Sequence, residues 1–221
     1  MNDVIVNSVI EADIEYLVNG SGCDVLVIFA HGAGANMHSE FMEQLAQGVG
    51  ANDVQVVRFN FPYMRANVLD GKRRPPDRAV KIILDFNQQI KLLKNKFCPK
   101  KVILMGKSMG GRMSAIVAAD TSVDGVICLG YPFIPLKGGD PRLAPIVECA
   151  APLLVVQGER DKFGNKGAVN TWPEMEKVNV HWLTDGDHSF KPRKASGLTL
   201  EANMALAIAH CQQFIEKIKG S

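Results

Sequence analysis

The chain has 221 residues, of which 47% are hydrophobic and 22% charged, and a net charge of +2. That length can bury a continuous core without metals or disulfides, and it is read as one domain over residues 1–221. The charge is too small to imply a nucleic-acid partner, and no run approaches the roughly 18 apolar residues of a membrane span.

The start, MNDVIVNSVIEADIEY, has no basic head, no long apolar run and no small-residue cleavage site, so it does not read as a signal peptide. Alternation from Val9 to Val18 suggests an antiparallel edge strand. The nearly all-apolar run Asp24–Ala30 suits a strand buried on both faces of a parallel sheet. Similar runs follow at Val54–Phe61, Lys101–Gly106, Asp124–Gly130, Pro152–Gly158 and Val178–Thr184.

Helical patterns fill the gaps. Ser39–Val49 and Ser108–Ala119 are short candidates. Between Asp77 and Phe97, Ala79, Ile83, Phe86, Ile90 and Leu93 recur at helical spacing, with Pro75, Pro76 and Asp77 as start signals. Near the end, Leu200, Met204, Ala207, Cys211, Phe214 and Ile218 form a second stripe. The alternation predicts an α/β fold: an open, mostly parallel sheet of about seven strands with helices on both faces. Ligands of such sheets bind beyond the carboxyl ends of the strands.

The chemistry-bearing residues fall at those ends. After KVILMG comes G-K-S-M-G, a G-x-S-x-G turn between a strand and a helix, with Ser108 at its centre. Such a turn lifts a serine hydroxyl clear of the sheet, and Gly106 and Gly110 leave room for it. By itself the pentapeptide reads equally as a plain glycine-rich turn. HGAGAN, from His31, follows the first apolar run. It is placed to supply one N–H to an oxyanion, from Ala33, with the second from Met109. A phosphate-binding G-x-G-x-x-G loop fails there on spacing. Asp161 lies beyond PLLVVQG and His188 beyond VNVHWLT. A serine hydroxyl needs an adjacent base, and the base needs an orienting acid. Ser108, Asp161 and His188 fill those roles in the order expected of such a site. Asp185 and Asp187 compete for the acid's role, but they share the His188 loop and are poorly placed to reach the far ring nitrogen. His31 is read as shaping its loop through hydrogen bonds.

No histidine pair has the H-x-x-x-H spacing of a helical zinc site, and no metal is expected. Cys23, Cys98, Cys128, Cys149 and Cys211 are odd in number and contain no C-x-x-C pair. Neither a disulfide framework nor a zinc site is implied, and a reduced, cytoplasmic setting is the simplest reading.

Two stretches bear on substrate. Tyr131–Ala151, where a lid would be inserted, leaves room for a minimal cap only; its apolar YPFIPL portion either walls a pocket or packs on the sheet. The loop Phe61–Pro76 carries Arg65, Lys72, Arg73 and Arg74, while Lys107 and Arg112 flank Ser108. These cations read as solvated surface or as a rim for a carboxylate or phosphate. Arg73, Arg74 and Tyr131 are the substrate-binding candidates, and the expected partner is a small molecule, with an anionic one favoured by the second reading. Arg58, inside an apolar strand, needs a buried partner that the sequence does not identify.

From Asp24 onward these features resemble the α/β-hydrolase superfamily. A closer resemblance, at HGAGANM, VVRFNFPY, the RRPP step, GKSMGGR, LGYPF and QGERDKFG, is to small dienelactone-hydrolase-like proteins. The resemblance implies the Ser108–His188–Asp161 triad, an oxyanion hole at Ala33 and Met109, and no organic cofactor. The resemblance names no substrate; the triad and the minimal cap are read as a serine hydrolase acting on small soluble esters or thioesters. True dienelactone hydrolases carry a cysteine where this chain has Ser108. Eukaryotic relatives include a subunit of a chromatin acetyltransferase complex, so a binding or scaffolding role is the alternative.

Overall fold

The computed structural model describes residues 7–11, 14–22 and 24–221. Eight strands form one sheet: β1 (Asn7–Glu11), β2 (Ile14–Asn19), β3 (Val25–Ala30), β4 (Val54–Phe59), β5 (Lys101–Lys107), β6 (Gly125–Leu129), β7 (Leu153–Gly158) and β8 (Asn179–Leu183). Their order is β1-β2-β4-β3-β5-β6-β7-β8. Strands β3 to β8 are mutually parallel, while β1 and β2 run antiparallel at one edge. The expected single edge strand over Val9–Val18 is in fact a hairpin, with Asn7 opposite Val18 and Glu11 opposite Ile14. Residues 12–13 and Cys23 lie outside the described residues.

Among the described residues, seven α-helices accompany the sheet: α1 (Glu40–Val49), α2 (Pro62–Asp70), α3 (Ala79–Phe97), α4 (Met109–Asp120), α5 (Ala144–Val147), α6 (Lys166–Val169) and α7 (Leu200–Lys219). The central strand β3 shows why. Val25, Val27 and Phe29 enter the core layer shared with α1 and α7, whereas Leu26, Ile28 and Ala30 enter the layer shared with α3 and α4. Side chains alternate across a strand, so an all-apolar strand has to be covered on both faces. The α7 stripe is buried as its spacing predicts, from Met204 to Ile218.

The buried face of α3 differs from the expected one. Ala79 is exposed, while Ile82, Asp85 and Gln89 are buried beside Phe86, Ile90 and Leu93. The face turns to serve a polar network: Arg65 pairs with Asp85 at 2.6 Å, Gln89 donates to Asp85 at 3.3 Å, and Tyr16 of β2 donates to Gln89. Arg58 finds its partners in an amide and a carbonyl. It donates to Asn19 Oδ1 at 3.0 Å and to the Met37 carbonyl at 2.9 Å. Burial lowers its pKa, and Glu43 of α1 offsets that in part.

Two expected loops are partly ordered. The segment after β4 is α2 for most of its length, begun by Pro62 in its first turn. Between β6 and β7 the chain contains only the four-residue α5. Tyr131 and Phe133 of this stretch are buried in a cluster with Val126, Val155 and Met175, so the aromatic part of YPFIPL packs on the sheet.

Candidate active site

Ser108 sits between β5 and α4 with φ 51° and ψ −113°, a conformation that non-glycine residues seldom adopt. Strain of this kind persists only where the surroundings enforce it. They do here: a Cβ on Gly106 would come within 2.1 Å of the Gly110 carbonyl carbon, and one on Gly110 within 2.3 Å of the Ala30 carbonyl oxygen. A side chain at Gly106 would force β5 and the start of α4 apart, and one at Gly110 would push the turn away from β3.

The hydroxyl of Ser108 lies 2.9 Å from His188 Nε2, and His188 Nδ1 lies 2.7 Å from Asp161 Oδ2. These distances suit a relay in which Nδ1–H donates to the carboxylate and Nε2 accepts from the hydroxyl. Asp161 is fully buried, whereas the His188 side chain keeps 22% of its surface exposed. Two further donors engage the carboxylate: the Phe163 N–H donates to Oδ1 at 2.9 Å and Gln157 Nε2 to Oδ2 at 2.8 Å. Gln157 is anchored in turn by the Tyr131 main chain, accepting from its N–H at 2.7 Å and donating to its carbonyl at 3.2 Å. The Phe163 ring packs on the imidazole with centroids 4.6 Å apart.

The competing acids are spoken for. Asp185 pairs with Arg193 and Arg160, and Arg193 foremost lowers its pKa to about 2. Asp187 accepts the N–H groups of Ser189 and Lys191 at 2.8 and 3.0 Å, which shapes the turn that carries His188.

The loop of Ala33 is held by its carbonyls. Tyr63 of α2 donates to the Ala33 oxygen at 3.1 Å, and His31 Nδ1 lies 2.7 Å from the Gly32 oxygen. The Phe61 N–H donates to His31 Nε2 at 3.0 Å, which fixes the tautomer with the proton on Nδ1. Burial lowers the His31 pKa to about 4, so this ring is neutral at neutral pH. Met109 is the first residue of α4, where an N–H has no acceptor within its own helix.

These pieces open into a cleft of about 360 Å³ lined by Ala33, Ser39, Phe41, Met42, Lys107, Ser108, Phe163 and His188, among others. That size suits a small molecule. Three expected substrate contacts lie elsewhere. Arg74 is half-buried and paired with Asp70 four residues back in α2. Arg73 is also outside the lining, on the segment that leaves α2. Tyr131 is fully buried and spends its hydroxyl on the Arg142 carbonyl at 2.9 Å. The cleft lining includes none of Arg65, Lys72, Arg73 and Arg74, and carboxylates outside it engage Arg65 and Arg74.

Sequence reasoning passed over Gln157, Phe163 and Tyr63, and it read Lys107 foremost as a surface charge. Gln157 had one legible signal, a polar residue inside an otherwise apolar strand. Among the described residues, no group of three or more His, Cys, Asp or Glu side chains is arranged to hold a metal ion. Nor is any described helix long and apolar enough to cross a membrane.

An alpha/beta hydrolase domain family matches residues 23–216. No curated protein matches the chain in sequence. Several solved structures share the fold at low identity. An alpha-beta serine hydrolase homologue from Coxiella burnetii is 18% identical with a TM-score of 0.67, covering 96% of this chain and 97% of its own. A serine hydrolase without a lid from Xanthomonas campestris has the same identity and TM-score, covering 96% of this chain and 95% of its own. A dienelactone hydrolase from Anabaena variabilis is 18% identical with a TM-score of 0.66, covering 93% of this chain and 94% of its own. The family match spans most of the sequence, and the chain belongs to the alpha/beta hydrolase family.

Proposed function

We propose that the protein is a serine hydrolase that cleaves small esters or thioesters through an acyl-enzyme intermediate. The observation that carries this reading is the unbroken relay from Ser108 through His188 to the buried Asp161, with its serine end open to the cleft. Ser108 Oγ attacks the acyl carbon while His188 Nε2 takes the hydroxyl proton. The carbonyl oxygen becomes an oxyanion, which the N–H groups of Ala33 and Met109 stabilise. Collapse expels the alcohol or thiol, which leaves with the proton from His188. A water molecule then repeats the sequence on the acyl-enzyme and releases the carboxylic acid. Asp161 holds the ring in its tautomer and stabilises the imidazolium.

The absence of an inserted domain between β6 and β7 leaves the cleft shallow, which favours compact substrates over long acyl chains. The test is turnover of short-chain nitrophenyl esters in the presence of a chelator, with a pre-steady-state burst equal to the enzyme concentration. Burst and turnover are expected in the wild type and absent in Ser108→Ala. A folded wild-type protein with neither would favour the scaffolding role.

A further inference from the structure

Ser108 follows β5 and His188 follows β8, and two strands lie between those elements in the sheet. Three strand spacings amount to about 14 Å, so no sheet hydrogen bond sets the serine against the imidazole. Besides the imidazole itself, the side chain of Lys107 crosses the gap. Lys107 adjoins Ser108 in the turn, and its ammonium donates to the main-chain carbonyl of His188.

The ammonium has a built seat. The Phe41 and Phe190 rings face it at 5.2 and 5.7 Å. Gly130, at φ 61°, leaves the space: a Cβ there would come within 2.6 Å of Lys107 Nζ and 2.9 Å of the His188 carbonyl oxygen. We propose that Lys107 is a positioning residue, whose ammonium straps the His188 loop to the nucleophile turn and holds the imidazole in reach of Ser108. The proposal rests on the serine-hydrolase reading above and adds to it a residue outside the triad.

The bond is charge-assisted, so it is stronger for the ammonium than for the neutral amine, and so are the contacts with the two ring faces. Burial lowers the Lys107 pKa to about 8, against the opposing pull of Asp161 after β7 and Asp187 after β8. His188 itself faces the ammonium through its carbonyl; α1 presents the Phe41 ring, and β6 leads into Gly130. The strap therefore slackens as the pH rises through about 8.

The experiment is the second-order rate of fluorophosphonate labelling at Ser108 across pH 6 to 10, for the wild type, Lys107→Met and Lys107→Arg. Met keeps the apolar stem and drops the charge; Arg keeps its charge throughout that range. The wild type should label fastest below about pH 8 and decline above it. Lys107→Met should label about tenfold more slowly, with no such decline. Lys107→Arg should recover much of the rate and hold it above pH 8. Should Lys107→Met fail to fold, loss of the high-pH decline in Lys107→Arg carries the same information. A wild type that labels, with Lys107→Met within twofold of it at every pH, overturns the proposal alone. So does a slow Lys107→Met beside a wild type with no high-pH decline, since the lysine would then serve packing only. A wild type that does not label overturns the underlying reading as well.

Discussion

Two regions beyond the strand ends carry polar residues in plenty, and they use them in opposite ways. Past β5, β7 and β8, the groups of Ser108, Asp161 and His188 point at one another, with Gln157 of β7 behind the carboxylate, and the serine and imidazole open onto a cleft. Past β4, the engaged cations of Arg65–Arg74 spend their charge on carboxylates outside the cleft lining. Arg65 pairs with Asp85 and donates to the Asn60 carbonyl at 2.8 Å, and Arg74 pairs with Asp70. A position just after a parallel strand is thus necessary for a site in this fold, but the path of the chain afterwards decides whether side chains meet. After β5 the strained turn keeps Ser108 at the strand end. After β4 the helix α2 begins at Pro62, and neither Arg65 within it nor the cations beyond its end line the cleft.

The largest expected effect lies within the converging set. Ser108→Ala and His188→Ala should each remove nearly all ester turnover, and the double variant should be little worse, because the residues act as one unit. Asp161→Asn should lower kcat by up to about four orders of magnitude, as a wrong imidazole tautomer does in serine proteases. If Asp161→Asn stayed near wild type while Asp187→Asn collapsed, the acid would be assigned to the wrong strand end.

One step out, Gln157→Leu should lower kcat about ten- to hundredfold, because it strips a hydrogen bond from a buried carboxylate. KM should change little, since Gln157 does not line the cleft. A change in KM alone would place the side chain's effect on the pocket instead.

The loop of Ala33 offers a pH test of stability. The buried His31 has a folded-state pKa of about 4, below its ordinary 6.5. Below pH 6.5 the unfolded chain therefore takes up a proton that the folded one refuses. Stability is intact above that pH and falls as the pH drops toward 4, by about 3 kcal/mol from this residue. Burial also lowers the pKa values of His181 and His210, which adds loss in the same direction. Urea titrations from pH 7.5 to 4 should show the fall. A His31→Gln variant, destabilised at pH 7.5, should show a shallower one, and an equal slope in both would contradict it.

The smallest effect belongs to the diverging set. Arg73→Ala and Arg74→Ala should change kcat/KM by less than about twofold, equally on a neutral ester and on a carboxylated one, as charges screened by solvent do. Selective loss on the anionic ester would bring the basic segment back to the cleft.

What the sequence disclosed follows from how each residue does its work. The buried strands were legible because a strand covered on both faces has to be apolar along its whole length, as β3 is. Ser108 was legible because a sharp turn under β3 tolerates only glycine at Gly106 and Gly110. Helix α2 was not, because its apolar residues do not form a buried stripe: Val68 and Leu69 are 52% and 88% exposed. The turned face of α3 was hidden for the converse reason, since Asp85 and Gln89 are polar residues buried to satisfy partners far away in sequence. Lys107 looked like surface because only the fold shows a carbonyl and two rings from distant segments closing over it.

The most direct test of the triad is intact-mass and peptide analysis after treatment with a fluorophosphonate probe. One adduct per chain on the peptide carrying Ser108 is expected, abolished in Ser108→Ala and slowed by at least about a hundredfold in His188→Ala. A folded wild-type protein that takes no adduct, or one whose labelling is indifferent to His188, would contradict the account.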